Sequence, residues 1–223
     1  MQEHGYQLLS SSHDVADTQR EAAGIAAKVW SAIFNDNLLQ KRRKDTKVGR
    51  EAVYAILPHV KQCDTIGPNY ACVELPSLVK LGLKIATHLE SEISPPTKLR
   101  LNICGYIRTK KNTQQTVHRD IPFESNEVAF SVFVGVSMTN GEPTLVCPGS
   151  HKRQVGQNTV PVSLREGEVL VLDSRLLHAG GGCGTGAGRV VAFFSLVPVC
   201  HVGNISYIHT YPGEVQHTEE VHS

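Results

Sequence analysis

Nowhere does this 223-residue sequence carry the run of about 18 or more apolar residues that a bilayer-spanning helix needs. Met1 to Ser12 also lacks the apolar h-region of an export signal, so a cytoplasmic protein with no membrane partner is expected. An excess of one charge is missing too. The formal net charge of +1 gives no general field to draw in nucleic acid or anionic lipid. Cys63, Cys72, Cys104, Cys147, Cys183 and Cys200 are widely spaced with no C-x-x-C pair, which argues against a zinc knuckle, a redox pair or a disulfide scaffold. Buried thiols acting as small hydrophobes are the expectation. There is no internal repeat and no low-complexity domain. With 40% hydrophobic and 19% charged residues, the chain suits one globular domain with a full core.

Two kinds of periodicity divide the chain. Thr18 and Glu21 form a capping-box pattern ahead of Ala22, Ile25, Ala26, Val29, Trp30 and Ile33, which fall on one helical stripe. A second helix is predicted from near Pro76, with Leu78, Leu81, Ile85 and Leu89 on one face. It must stop before Ser94-Pro95-Pro96, because a residue preceding proline is pushed out of the α region. After Pro96, Leu99, Leu101, Ile103 and Ile107 alternate with more polar neighbours, the pattern of a strand. Further strands are predicted at Val128–Met138, Thr144–Cys147, Thr159–Leu164, Glu168–Leu172 and Arg189–Val197, with turns at Asn140-Gly141, Pro148-Gly149 and Glu166-Gly167. The organisation read from this is helical N-terminal elements over 1–96 packing on a β core over 97–211, then a polar tail over 212–223. Many short strands without intervening helices predict a mainly β antiparallel sandwich or jelly roll.

The chemistry centres on Val117-His118-Arg119-Asp120. On a strand, alternate side chains share a face, so His118 and Asp120 point one way and Arg119 the other. His178 follows an apolar strand, and neighbouring strands of a jelly roll would bring it to the same face. Two imidazoles and one carboxylate are the ligand set of a non-haem Fe(II) site with open positions. The competing reading is a surface His–Asp pair with His178 merely preceding a loop. Arg189 opens the next apolar strand, after the glycine-rich run from Gly180 to Gly188. Its planar fork suits a dicarboxylate held beside a metal. The glycine run lacks the G-x-x-x-x-G-K-[ST] pattern of a phosphate cradle and reads as a flexible loop.

The stretch Thr139-Asn140-Gly141-Glu142-Pro143-Thr144-Leu145-Val146-Cys147-Pro148-Gly149-Ser150-His151-Lys152 is similar to the N-G-x-L-x-x-x-P-G-S-H-K segment of phytanoyl-CoA dioxygenase-like proteins. Gly167 to His178 resembles that family's strand leading to its second metal histidine, and the eleven-residue step from His178 to Arg189 matches as well. The resemblance covers about Leu99 to Val197. It implies an Fe(II)- and 2-oxoglutarate-dependent oxygenase on a double-stranded β-helix that uses O2 and releases succinate and CO2. Residue by residue, it implies that His118, Asp120 and His178 hold the iron and that Arg189 pairs with the distal carboxylate of 2-oxoglutarate. Related halogenases lack the carboxylate, so Asp120 implies hydroxylation. Asn102 and Tyr106 share the polar face of the strand before H-x-D and are candidates to line the 2-oxoglutarate pocket, as are Ser131 and Thr144. A solvent-facing strand would account for Asn102 and Tyr106 equally well. For Ser131 and Phe133 both faces of the strand look apolar, and periodicity does not choose. His151 is expected to be structural, and His59 and His88 to be surface or packing residues. Arg119 and Gly180 depart from the family pattern, where many members carry an uncharged residue and some a serine.

The basic run Lys41-Arg42-Arg43-Lys44 suits a solvated loop, with phosphate contact or a nuclear address as its alternative. The expected function is hydroxylation of a small-molecule substrate. The alternatives are the same chemistry on a protein side chain or nucleic acid base, and a catalytically silent cupin-like metal-binding module.

Overall fold

The computed structural model describes residues 3–9, 16–24, 50–55, 57, 71–93, 97–109, 114–123, 129–138, 141–153, 158–183 and 189–200. The strand predicted after Pro96 is β4 (Leu99–Thr109), at the heart of a seven-stranded sheet. It pairs antiparallel with the largely apolar β10 (Arg189–Pro198). On the other side of β10 lies β5 (Phe130–Ser137), and beyond that β8 (Val169–Asp173). A three-stranded sheet is formed by β7 (Val160–Val162), β6 (Thr144–Val146) and β9 (His178–Ala179). The two sheets make the jelly roll, a double-stranded β-helix.

The chain ahead of β4 departs from the expected run of helices. Residues 16–24 and α1 (Pro76–Glu92) are helical. Three strands were not foreseen. β1 (Tyr6–Leu9) extends the large sheet beside β8, β2 (Arg50–Ala55) pairs with β4, and β3 (Ala71–Val73) runs parallel to β2. Strands of three to six residues are too short to establish a period, and the charges of Arg50 and Glu51 mask the apolar end of β2. The sheet therefore runs across the expected boundary near residue 96. Ile25 to Ile33, Lys41 to Lys44, His59, Cys63 and the tail lie outside the described residues.

Alternation along the strands creates two layers. Ala192, Phe194 and Leu196 of β10 join Val132, Val134, Val169 and Val171 in the apolar layer beneath α1. Leu170, Leu172 and Val191 face the other way, toward Val146 and Val162 of the small sheet. Because β8 is buried on both faces, its residues 169–172 are all apolar and do not alternate. Helix α1 lays Leu78, Leu81, Ile85, Ala86 and Leu89 on the sheet. It comes so close that a Cβ at Gly82 would stand 2.6 Å from the Phe194 ring. Its end is set by Ile93, which is already extended at φ −90° and ψ 133°, ahead of Ser94-Pro95.

The start of α1 has no cap of its own, since Leu75 offers no side-chain oxygen. Glu21 supplies one from the N-terminal helical segment: Ser77 N–H and Leu78 N–H donate to Oε2 and Oε1 at 2.9 and 3.0 Å. A carboxylate there also complements the positive end of the helix dipole. The Tyr106 hydroxyl lies 2.9 Å from the same Oε1 and 3.0 Å from Thr18 O and shares its one proton between them. Thr18 is buried inside a helical stretch, so the capping box read from Thr18 and Glu21 is not formed, and Glu21 caps a different helix. Replacing Glu21 by alanine should lower the unfolding free energy by about 2–3 kcal/mol, the worth of charged hydrogen bonds at a helix start. Urea denaturation of Glu21→Ala, Tyr106→Phe and the double variant measures this, and the losses should be less than additive because the two residues share a bond.

Candidate metal centre

His118, Asp120 and His178 converge as expected, all three buried, with their ligand atoms within 4.8 Å of one another. Local backbone geometry explains the convergence. His118 and His178 stand opposite each other in an isolated antiparallel bridge, each N–H donating to the other's carbonyl at 2.9 Å. Directly opposed residues project to the same side of a ladder, so the two rings lie with centroids 4.6 Å apart. The alternation of the H-x-D segment then brings Asp120 to the same side, with Oδ1 3.6 Å from His118 Nε2 and Oδ2 3.8 Å from His178 Nε2.

Each imidazole is oriented by its own chain. Nδ1 of His118 lies 2.8 Å from Thr116 O and Nδ1 of His178 lies 2.9 Å from Leu176 O. A carbonyl only accepts, so each neutral ring carries its proton on Nδ1 and presents the Nε2 lone pair to the centre. This is the outer contact that usually accompanies a metal-bound histidine. Burial would push the Asp120 carboxyl up. When the His178 and His118 rings are protonated, their charges, with bonds from His118 and Ser131, outweigh it and hold the group well below the usual carboxylate range. Asp120 is therefore already an anion when the two rings lose their extra protons and turn Nε2 lone pairs to the centre, a donor set suited to a divalent transition metal.

Arg189 is 2% exposed and donates from Nη2 to Thr144 Oγ1 at 3.0 Å. Thr144 stands two residues before Val146, which is opposite His178. About 7 Å of strand therefore separates the level of the guanidinium from that of the second histidine. Thr144 thus lies beside the guanidinium. Ser131 faces the interior, which its apolar neighbours had hidden, and its hydroxyl donates to Asp120 Oδ2. The Phe133 ring lies 6.0 Å from that of His178 and 5.6 Å from that of Phe193, making an apolar wall beside the centre.

Tyr106 is a correction. Its register partner is Ala192, on the layer beneath α1, and its hydroxyl is committed to Glu21 and Thr18, so it does not line this pocket. Asn102 differs because a bulge in the β4–β10 ladder falls beside it. Ser195 pairs with Ile103 while Leu196 pairs with Leu101. Leu101 and Cys104 both belong to the layer beneath α1, so the two residues between them share the interior face. Thr109 and Ser195, which the sequence reading passed over, share that face too, opposite Arg189 and Ser131 respectively. Stepping in twos from Arg189 along β10 reaches Ser195 and would have found it. Asn102 Nδ2, Thr109 Oγ1 and Ser195 Oγ are buried without a hydrogen-bond partner among the described residues, as expected of groups that meet a bound molecule.

The remaining candidates are structural. Arg119 points away from the centre and donates to Arg175 O and Ser150 O at 2.8 and 3.2 Å. A charged residue at this departure from the family pattern therefore ties two loops together. His151 packs against Gly5, where a Cβ would stand 2.3 Å from the imidazole Nδ1. His88 is exposed on α1. The start of the glycine run is packed, not loose, because a Cβ at Gly181 would meet Glu142 O at 2.2 Å. Residues 184–188 lie outside the described residues. Cys104, Cys147 and Cys183 are buried free thiols and Cys200 is exposed. Burial, reinforced by Glu21, pushes the Cys104 thiol up to about 12. Among the described residues no helix is long and apolar enough to cross a membrane.

Residues 87–191 match the family described as Phytanoyl-CoA dioxygenase (PhyH). None of the curated proteins matches the sequence. The fold is similar to that of SnoN, the non-heme alpha ketoglutarate dependent epimerase from nogalamycin biosynthesis, with 18% identity and a TM-score of 0.57 over 88% of this chain and 78% of that one. HygX from Streptomyces hygroscopicus with nickel and 2-oxoglutarate bound is similar at 12% identity and a TM-score of 0.58, over 89% and 84% of the two chains. AviO1 from Streptomyces viridochromogenes Tue57 is similar at 13% identity and a TM-score of 0.58, over 90% and 93%. Identities this low speak for a shared fold alone. Residues 87–191, which hold both histidines, the carboxylate and the buried arginine, thus match the phytanoyl-CoA dioxygenase family.

Proposed function

We propose that this chain is an Fe(II)- and 2-oxoglutarate-dependent dioxygenase that hydroxylates a C–H bond of a small molecule. Its turnover consumes 2-oxoglutarate and O2 and releases succinate and CO2, one oxygen atom entering succinate and the other the product. The observation that carries the reading is the buried His118–Asp120–His178 trio with both Nδ1 atoms occupied and both Nε2 atoms turned inward. Two nitrogens and one carboxylate leave three coordination positions for ligands other than protein. When bound there, the iron supplies the redox chemistry with O2 and the keto acid. The family match over residues 87–191 supports this, and so do the neighbours: HygX has been crystallised with iron, and SnoN with Fe3+, alpha ketoglutarate and nogalamycin RO.

The chain's own residues bind, orient and exclude water. Arg189 stays charged at every working pH and offers a planar fork to the distal carboxylate of 2-oxoglutarate, with Thr144 fixing its direction. Asn102, Thr109 and Ser195 add neutral polar atoms on the same interior face. Phe133 and Phe193 keep water from the side of the centre next to His178. Asp120 occupies the position at which a halide would bind in a halogenase, which favours hydroxylation. A small-molecule target fits the antibiotic bound in a neighbour, HygX with hygromycin B.

Protein supplied with Fe(II), 2-oxoglutarate and O2 should release succinate slowly even without a primary substrate, and His118→Ala should abolish that release. Arg189→Lys should raise the 2-oxoglutarate concentration needed by roughly 10–100-fold, the usual loss for a fork replaced by a point charge, and leave metal affinity unchanged. A protein that holds iron yet makes no succinate would be a silent metal-binding module instead. Metal affinity should be full above the imidazole range and fall as pH drops through about 6.5, because protons compete for both Nε2 atoms. Asp120 stays ionised across that interval, so the loss should approach two protons per ion. Metal titrations from pH 8 to 5 measure the slope. A flat profile would remove the histidines from the ligand set.

A further inference from the structure

One hydrogen-bond chain at the centre is longer than a three-ligand site requires. The Ser131 hydroxyl donates to Asp120 Oδ2, and the hydroxyl of Ser174 lies 2.9 Å from Ser131 Oγ. Both serines are fully buried. A serine has one proton to give, and Ser131 gives its proton to the carboxylate. Ser131 must therefore accept in the second bond, and Ser174 must donate. The chain runs one way, from Ser174 through Ser131 to Asp120 Oδ2, and each bond polarises the next.

Ser174 also holds Asp120 from behind. Its carbonyl accepts the N–H groups of Asp120 and Ile121 at 3.0 and 3.2 Å, and its own N–H donates to Ala129 O at 2.9 Å. Two residues further on, Leu176 O receives Nδ1 of His178. A single turn after β8 thus orients two of the three metal-binding side chains.

Resting on the iron-centre reading above, we propose that the Ser131–Ser174 hydroxyl pair is a positioning device that engages Oδ2 of Asp120, the oxygen 3.8 Å from His178 Nε2, and so favours Oδ1, 3.6 Å from His118 Nε2, as the metal's ligand. Neither serine touches substrate or metal. Their task is to hold the carboxylate to one-oxygen coordination, because a two-oxygen grip would take one of the three positions left for the keto acid and O2. Ser174 acts only through Ser131.

Co(II) titration of the full chain tests this, read by the visible absorption of the bound ion, which reports coordination number without turnover. Ser131→Ala should weaken Co(II) binding roughly 10–100-fold, the range for lost outer contacts, and change the band shape as the carboxylate turns. Ser174→Ala should have a smaller effect of the same kind. Ser131→Ala/Ser174→Ala should be no worse than Ser131→Ala alone, because the second serine has nothing left to act through. Far-UV circular dichroism checks folding, and Ser131→Cys, which keeps a weak donor, should recover part of the affinity. Unchanged affinity and spectrum in Ser131→Ala, or additive losses in the double variant, would overturn the proposal. Failure of the unsubstituted chain to bind Co(II) in a manner dependent on His118 would strike the metal-centre reading itself.

Discussion

Two backbone hydrogen bonds, exchanged between His118 and His178 at 2.9 Å each, place everything else at the centre. They join a segment just after β4 to a two-residue strand of the small sheet, so the two imidazoles are opposed before any side-chain interaction is counted. Asp120 follows from strand alternation, and its own N–H is held by Ser174. Each ring is then locked by a carbonyl two residues earlier in its own chain. The ligand set is built mostly from main-chain geometry, which a jelly roll makes rigid.

The two faces of the large sheet do different work. Beneath α1 the sheet is a dry apolar layer closed by the Glu21 cap and the Tyr106 hydroxyl, which fixes β4 and β10 against the helix. The opposite face of the same two strands carries Arg189, Thr109, Ser195 and Asn102. Burying a polar atom without a partner costs about 1–3 kcal/mol, and three such atoms lie on this face among the described residues. The apolar layer offsets that cost, and a bound ligand would recover it. Stability on one face permits an unsatisfied, ligand-ready face on the other.

How much was legible in the sequence depended on the length of each pattern. The ligand set and Arg189 could be read because His118, Asp120 and Arg189 obey strand alternation and because the spacing to His178 matches a known family. The long strands β4, β5 and β10 announced themselves, as did α1 with its Pro76 start and the Pro95 stop. β1, β3 and β9 span four residues or fewer, too short to show a period. The Tyr106 expectation failed because polarity was read as facing a pocket, whereas the hydroxyl meets a half-buried carboxylate from a segment 85 residues away. Ser131 was ambiguous because β5 is buried on both faces, so only the register with β10 and β8 shows which side it takes. Long-range partners of single residues are invisible to periodicity.

The central claim is that these three side chains hold Fe(II) while Arg189 presents 2-oxoglutarate to it. Anaerobic addition of Fe(II) and then 2-oxoglutarate, followed by visible absorption, tests it most directly, because a keto acid chelated to Fe(II) gives a metal-to-ligand charge-transfer band that neither component gives alone. The account predicts that band in the unsubstituted protein and its loss in His178→Ala. Tight iron binding with no band on saturation by 2-oxoglutarate would contradict it.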